Sequence, residues 1–187
     1  MSLSLREELR ALTREAHVEV DSLLSRFDLA HPAGYRAFLR VHAAVLPACE
    51  AQLAASGAAD LVPDWPQRVR SPALAADLAD IGGAPLPAVE PGPRLDAAAA
   101  LGVMYVLEGS RLGGAVLARR VDANPDAACR GATRYLRHGA GQRLWPTFVA
   151  TLDAPGAVQY RTVDVTSSAL AIFKLFADAA RSLDDPG

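Results

Sequence analysis

A chain of 187 residues is long enough for one domain with a real core. Its 51% hydrophobic and 21% charged residues are an ordinary globular balance. A formal net charge of −2 excludes an overall positive field that would recruit nucleic acid or an anionic membrane.

The first helix is expected from about Ser4 to Arg26. Leu5, Leu9, Leu12, Ala16 and Leu23 recur at helical spacing, and Ser4 followed by Glu7 forms a capping-box pattern. The His31-Pro32-Ala33 turn introduces a second helix, Tyr35 to about Ser56, with Phe38, Val41, Val45, Leu46 and Leu53 inward. Pro47 should kink or break it. Gly57 to Arg70 reads as loop. Ser71-Pro72 then reads as an N-cap followed by a first-turn proline, opening a short helix that ends at Gly82-Gly83. Residues 84 to 95, rich in proline, form an extended connector. Asp96 caps one long helix running to about Asp122, before Asn124-Pro125. Further helices are expected at about Asp126–Arg137, Gly141–Leu152 and, after a Pro155-Gly156 stop, Thr162–Leu183, with Leu170, Phe173, Phe176, Ala177 and Ala180 on one face. The tail Asp184-Asp185-Pro186-Gly187 is expected to be disordered. With no alternating strand segment and no internal repeat, the class is all-α, one domain spanning 1–187.

A membrane helix needs about 18 or more consecutive apolar residues. The longest apolar stretch, Ala97 to Leu107, ends at Glu108, so no membrane span is expected. Cys49 and Cys129 stand alone, without a CxxC or zinc spacing, and read as buried thiols of a reducing compartment. The amino terminus is mixed in charge, unlike a secretory leader, so the expected location is the cytoplasm.

Three glycines, Gly109, Gly113 and Gly114, fall inside the long helix. Each costs about 0.8–1 kcal/mol relative to alanine, so together roughly 2–3 kcal/mol opposes the helix. Gly109 and Gly113 are four apart and share a face. Such a face suits either a tight helix crossing or a flat partner laid against bare backbone. Some ninety residues earlier, Leu9-Arg10-x-x-Thr13-x-x-x-His17 places a histidine at the edge of the leucine stripe. On a continuous helix Arg10 lies within about 20° of His17 and about 10.5 Å along the axis. A half-buried imidazole can ligate iron through one nitrogen, and a guanidinium two turns away suits a carboxylate on the ligand's rim. A boundary histidine without a function is the competing reading. His31, His42 and His138 are read as structural, with His138 a cation at a helix end.

These two frames agree in one resemblance. Leu9-Arg10-x-x-Thr13-x-x-x-His17 resembles the proximal helix of haem oxygenases. Tyr105-Val-Leu-Glu-Gly-Ser-x-Leu-Gly-Gly114 resembles the distal helix of their bacterial branch that accompanies bacteriophytochromes. Arg70 to Gly82, Trp145-x-x-Phe148-x-x-x-Leu152 and the last helix fit as well, so the likeness runs from Leu5 to Leu183. It implies a helical bundle that sandwiches haem, which is both substrate and prosthetic group. It also implies oxidation by O2, with electrons from a ferredoxin or reductase, to biliverdin, CO and ferrous iron. A bacteriophytochrome would be a receiver of the biliverdin.

Carried over by position, His17 is the proximal iron ligand, and Gly109 and Gly113 let the distal helix pass close over the haem face. Animal members place an aspartate in the distal glycine segment to hold water. This chain has Ser110 there, which is assigned to the water network, and Glu108 before it, assigned to capping or pairing. Arg10 and Arg143 are the implied propionate contacts, Arg111 is either a contact or a solvated charge, and Phe173 and Phe176 wall the pocket. Two other classes stay open: a haem carrier or sensor without turnover, and a related helical fold acting on another small molecule, as in thiamin salvage. The latter calls for a catalytic cysteine or paired carboxylates in the pocket, and neither cysteine sits in such a frame.

Overall fold

Every regular element among the residues described by this computed structural model, 4–154 and 160–183, is helical. The expected Pro155-Gly156 stop and the 184–187 tail lie outside the described residues.

The first helix is two: α1 (Leu5–Leu12) and α2 (Arg14–Ser25). The Ser4–Glu7 capping box forms. Thr13 closes one helix and opens the other, and its hydroxyl donates to the Leu9 carbonyl at 2.8 Å, a back-bond that bends helices. Leu9 is fully buried, but Leu12, expected inward, is turned to solvent beside the break.

Helix α3 (Pro32–Ala55) buries the five side chains expected of it. It runs unbroken through Pro47, whose ring lies on the exposed side, where water can take up the ladder bond it removes. The expected loop that follows contains two single turns, α4 (Ala58–Leu61) and α5 (Trp65–Arg68). In α6 (Ser71–Asp80) Arg70, not Ser71, holds the cap position. The capping oxygens come from another helix: Glu50 accepts from the Arg70 amide at 2.8 Å, the Ser71 amide at 3.0 Å and the Ser71 hydroxyl at 2.5 Å.

Asp96 caps α7 (Ala97–Gly109) by accepting from the Ala99 amide at 2.8 Å. The long helix expected to reach Asp122 is interrupted at Ser110 and resumes as α8 (Arg111–Asp122). The Ser110 hydroxyl donates to the Leu107 carbonyl at 2.7 Å, within the ladder itself. The stretch Ala97–Asp122 is long and apolar enough to cross a membrane, yet half of its most apolar window is buried inside the protein.

Helix α9 (Ala127–Gly131) stops well short of the expected Arg137. Tertiary partners take the backbone groups that would extend it: the Tyr35 hydroxyl donates to the Ala132 carbonyl, and Asp77 accepts the Tyr135 amide at 2.8 Å. Turns then lead through Gly139, at φ +74°, into α10 (Leu144–Leu152).

The last helix, α11 (Thr162–Arg181), packs against α7, α2 and α3 and so joins the opening helices to the glycine-bearing one. Gly102 makes the α7–α11 crossing possible, because a Cβ there would strike the Val165 carbonyl oxygen. Ala169, Phe173, Phe176, Ala177 and Ala180 face the core, whereas Leu170, about 100° round the helix from Ala169, is turned out. Cys49 and Cys129 are buried free thiols.

Candidate functional site

Two lines of residues diverge from one point of approach. Thr13, at the break between α1 and α2, stands close enough to the Tyr105 phenol to act on its ionisation. His17 follows Thr13 on α2; Gly109 follows Tyr105 on α7, with Gly113 beyond the Ser110 break. Burial pushes the Tyr105 phenol up, while the Thr13 side chain and the positive charges of Arg10 and Arg6 oppose it.

His17 is exposed, with 61% of its side chain accessible, and its Nδ1 lies 3.4 Å from Asp21 Oδ2. A carboxylate at that distance favours the tautomer protonated on Nδ1 and leaves Nε2 as a lone pair for a metal. Its ring meets Phe173 edge-on, at 5.8 Å between centroids and 85° between planes. Among the described residues no cluster of three metal-ligating side chains exists. A metal at His17 must bring most of its ligands with it, as the iron of a macrocycle does.

The glycines separate by environment. A Cβ on Gly114 would collide with the Leu136 carbonyl oxygen, so Gly114 serves the helix crossing. A Cβ on Gly109 would meet only the Trp145 ring, at 3.7 Å, and one on Gly113 only the Leu117 methyl on its own helix, at 4.0 Å. These two are not needed by the protein's own packing. They leave a strip of bare backbone open to a flat ligand, and His17 separately offers a nitrogen to a metal; both features suit a metalloporphyrin.

A chain of side-chain contacts runs through the core from His17 toward Ser110. From Phe173 beside His17 it passes one turn along α11 to Phe176. Phe176 lies 5.3 Å from His42, His42 lies 5.4 Å from Tyr135, and the Arg70 guanidinium sits 5.1 Å from the centre of the Tyr135 ring. Arg70 then donates to the Ser110 hydroxyl oxygen at 2.9 Å and to the Leu107 carbonyl at 2.8 Å. With its proton on Leu107 and Arg70 on one lone pair, Ser110 retains acceptor capacity for water.

The expected residues thus divide. His17 meets Phe173, and Gly109, Ser110 and Gly113 lie together around the α7–α8 break. Arg10 acts on Tyr105, but the break at Thr13 removes the single helical line expected to align it with His17. Arg143 is exposed at the N-cap of α10, and nothing in its described contacts ties it to either group. Arg111 is no solvated charge. Its side chain is 8% exposed, donates to Glu108 at 2.9 Å and to the Arg68 carbonyl, and lies 3.1 Å from His138 Nδ1. Glu108 also takes Arg68 at 2.6 Å, both side chains almost wholly buried, and Asp64 holds the far side of Arg68 at 2.7 Å. His138 is therefore an acceptor, not the cation expected at a helix end; burial and the nearby arginines push its pKa down. Tyr105 and Arg70 stand in matched stretches of sequence but were given no role there, and His42 and Tyr135 carried no signal at all. The breaks at Thr13 and Ser110 coincide with side-chain back-bonds that spacing does not show.

The heme oxygenase family model matches residues 3–182. Heme oxygenase PigA of Pseudomonas aeruginosa strain PAO1 is 34% identical over 153 residues, covering 79% of this chain and 76% of that protein. A heme oxygenase of Xanthomonas campestris pv. campestris strain 8004 is 31% identical over 142 residues, covering 76% and 86%. The NO- and CO-bound heme oxygenase from Neisseria meningitidis superposes with a TM-score of 0.80 at 23% identity, covering 97% of this chain and 92% of that one, which supports the fold.

Proposed function

The chain belongs to the haem oxygenase family, and on that premise we propose how its cleft degrades haem, with O2 and external electrons, to biliverdin, CO and ferrous iron. Haem, when bound, supplies the iron at which dioxygen is reduced and is itself the molecule oxidised. His17 would hold that iron through Nε2, with Asp21 keeping the proton on Nδ1. Gly109 and Gly113 would let the backbone of α7 and α8 come close to the macrocycle. Phe173 walls the proximal side. Ser110, fixed by Leu107 and Arg70, holds water on the distal side, and that water supplies the protons the oxidation consumes. Arg10, with Arg6 and the Tyr105 hydroxyl, would offer donors and positive charge to the propionates.

The observation that carries this reading is the pairing of an imidazole free at one nitrogen with a glycine strip that the protein's own packing does not fill. A ferredoxin or a flavin reductase is the electron donor in this scheme, the setting is cytoplasmic, and a bacteriophytochrome is a natural recipient of the product.

The experiment mixes the purified chain with haemin, records the Soret band, then adds ascorbate or a reductase under air. Replacement of the Soret band by biliverdin absorption supports the enzyme. A Soret band that persists under reductant makes the chain a haem carrier, and the absence of a band removes both readings.

A further inference from the structure

Helix α8 turns a mixed face outward. Leu112 and Val116, one turn apart, are 61% and 54% exposed, and Arg119 lies within about 20° of Leu112 round the helix. Arg120 adjoins it, and among the described residues neither arginine has an ion pair or a side-chain hydrogen bond. Cations in a last turn suit the helix dipole, which accounts for two arginines but not for two exposed apolar side chains in line with them. The charge extends beyond this helix. Residues 111–150 hold seven arginines and two aspartates in a chain whose formal net charge is −2, so the remainder is acidic. Glu108 answers Arg111, Asp122 answers Arg137, and Asp77 with Asp80 answers Arg134. Arg119 and Arg120 stay unanswered. The face continues to the start of α10, where a cavity of about 240 Å3 opens beside Leu112, walled by Ala115, Arg137, Gln142 and Trp145. The Trp145 ring stands 3.7 Å from where a Cβ on Gly109 would lie. One indole therefore separates this surface from the bare backbone strip.

We propose that this face docks a small acidic one-electron carrier of the ferredoxin class, with carboxylates on Arg119 and Arg120 and apolar contact on Leu112 and Val116. Opposite charge steers such an encounter, and a small apolar centre lets the partner leave after each electron. In each encounter the carrier's reduced iron–sulfur cluster gives up one electron and is oxidised, and ferric haem becomes ferrous. What the partner delivers rests on the haem oxygenase reading; where it binds does not.

Titration of the 15N-labelled, haem-free chain with an oxidised [2Fe–2S] ferredoxin tests the docking. Amide shifts are expected to concentrate at 111–120 and 137–145 and to fade as salt screens the charges. Arg119→Glu should weaken binding about tenfold, while Arg94→Glu, an equal change of net charge on the exposed connector, should stay near parental. Leu112→Ser should weaken binding without changing its salt dependence. Shifts centred elsewhere, no shifts at low salt, or equal losses in Arg119→Glu and Arg94→Glu overturn the proposal. A dimer of the chain that Arg119→Glu dissolves overturns it in favour of a second copy. Co-sedimentation with phosphatidylserine vesicles that Arg119→Glu abolishes overturns it in favour of a membrane.

The haem-loaded chain tests the delivery. Under CO, reduced ferredoxin should convert the ferric Soret band to the ferrous–CO band about tenfold more slowly in Arg119→Glu. Reduction by dithionite and the ferric Soret maximum should be unchanged. A parental rate with ferredoxin in Arg119→Glu overturns the delivery. If the parent chain fails to bind or degrade haem, the enzymatic reading falls and the delivery with it, while the amide shifts still decide the docking face.

Discussion

The Thr13 side chain stands beside the Tyr105 phenol and favours its ionised form, so the break between α1 and α2 lies against the middle of α7. The Thr13 hydroxyl itself donates to the Leu9 carbonyl at 2.8 Å. His17 lies one turn beyond Thr13, and Gly109 one turn beyond Tyr105. The two motifs named from the sequence therefore approach one another where Thr13 and Tyr105 meet.

Replacing His17 by alanine removes the axial nitrogen without touching the core, since the imidazole is exposed and its contacts are with Asp21 and the edge of Phe173. The variant is expected to keep its unfolding midpoint, with a stability change within about 0.5 kcal/mol. It should lose the parental haem spectrum and most turnover. Absorption spectra of the haemin complex check this, with added imidazole as a rescue.

Gly113→Ala and Gly114→Ala should act in opposite ways although the residues are neighbours. At Gly113 a methyl meets nothing but its own helix, so the chain should be unchanged or stabilised by up to about 1 kcal/mol. Haem binding or turnover should nevertheless weaken, because the methyl projects into the cradle. At Gly114 a methyl meets the Leu136 carbonyl oxygen and should cost about 1–3 kcal/mol. Urea unfolding and haemin titration of both variants separate packing from ligand contact.

Glu108 lies between Arg68 and Arg111, each bonded to a different carboxylate oxygen. Glu108→Ala leaves Arg111 without its carboxylate and Arg68 with Asp64 alone, and should destabilise by about 3 kcal/mol. The same change frees the start of α8, so haem affinity should fall as well. Denaturation midpoints of Glu108→Ala beside Glu108→Gln measure how much of the loss is charge.

Acid should weaken the fold through His42. Burial, aided by the Arg70 charge and opposed by the Phe38 carbonyl, pushes its pKa down to about 4, against an unfolded value near 6.5. Between these values the unfolded chain binds the proton and the folded chain does not, so stability falls as pH drops through that window. The loss from this one residue approaches roughly 3 kcal/mol below pH 4. Urea midpoints from pH 7 to pH 4 should show it, and His42→Gln should flatten the difference relative to the parent.

Helix class was legible because the leucine, alanine and phenylalanine spacing dictates which faces are buried, but helix number was not: the breaks at Thr13 and Ser110 and the short turns α4 and α5 leave no mark on that spacing. Caps were legible where they are local, as at Ser4 and Asp96. They were illegible where the capping group comes from afar: Glu50 caps α6 across twenty residues of chain, and Asp77 with Tyr35 ends α9. His17, Gly109, Ser110 and Gly113 could be named from their motifs. His42, Arg70 and Tyr135 could not, because their roles depend on contacts between helices far apart in sequence.

Local order alone fixed the residue types: a histidine on an amphipathic stripe, glycines where a helix resists them, a serine between. Their environments were decided by packing. Gly114 and Gly113 are chemically identical, and only the position of Leu136 makes one a crossing and the other a cradle. Arg111 reads as a surface charge until Glu108 and Arg68 are folded against it. Periodicity depends on neighbours a few bonds away, whereas burial and charge pairing depend on whatever the rest of the chain brings alongside.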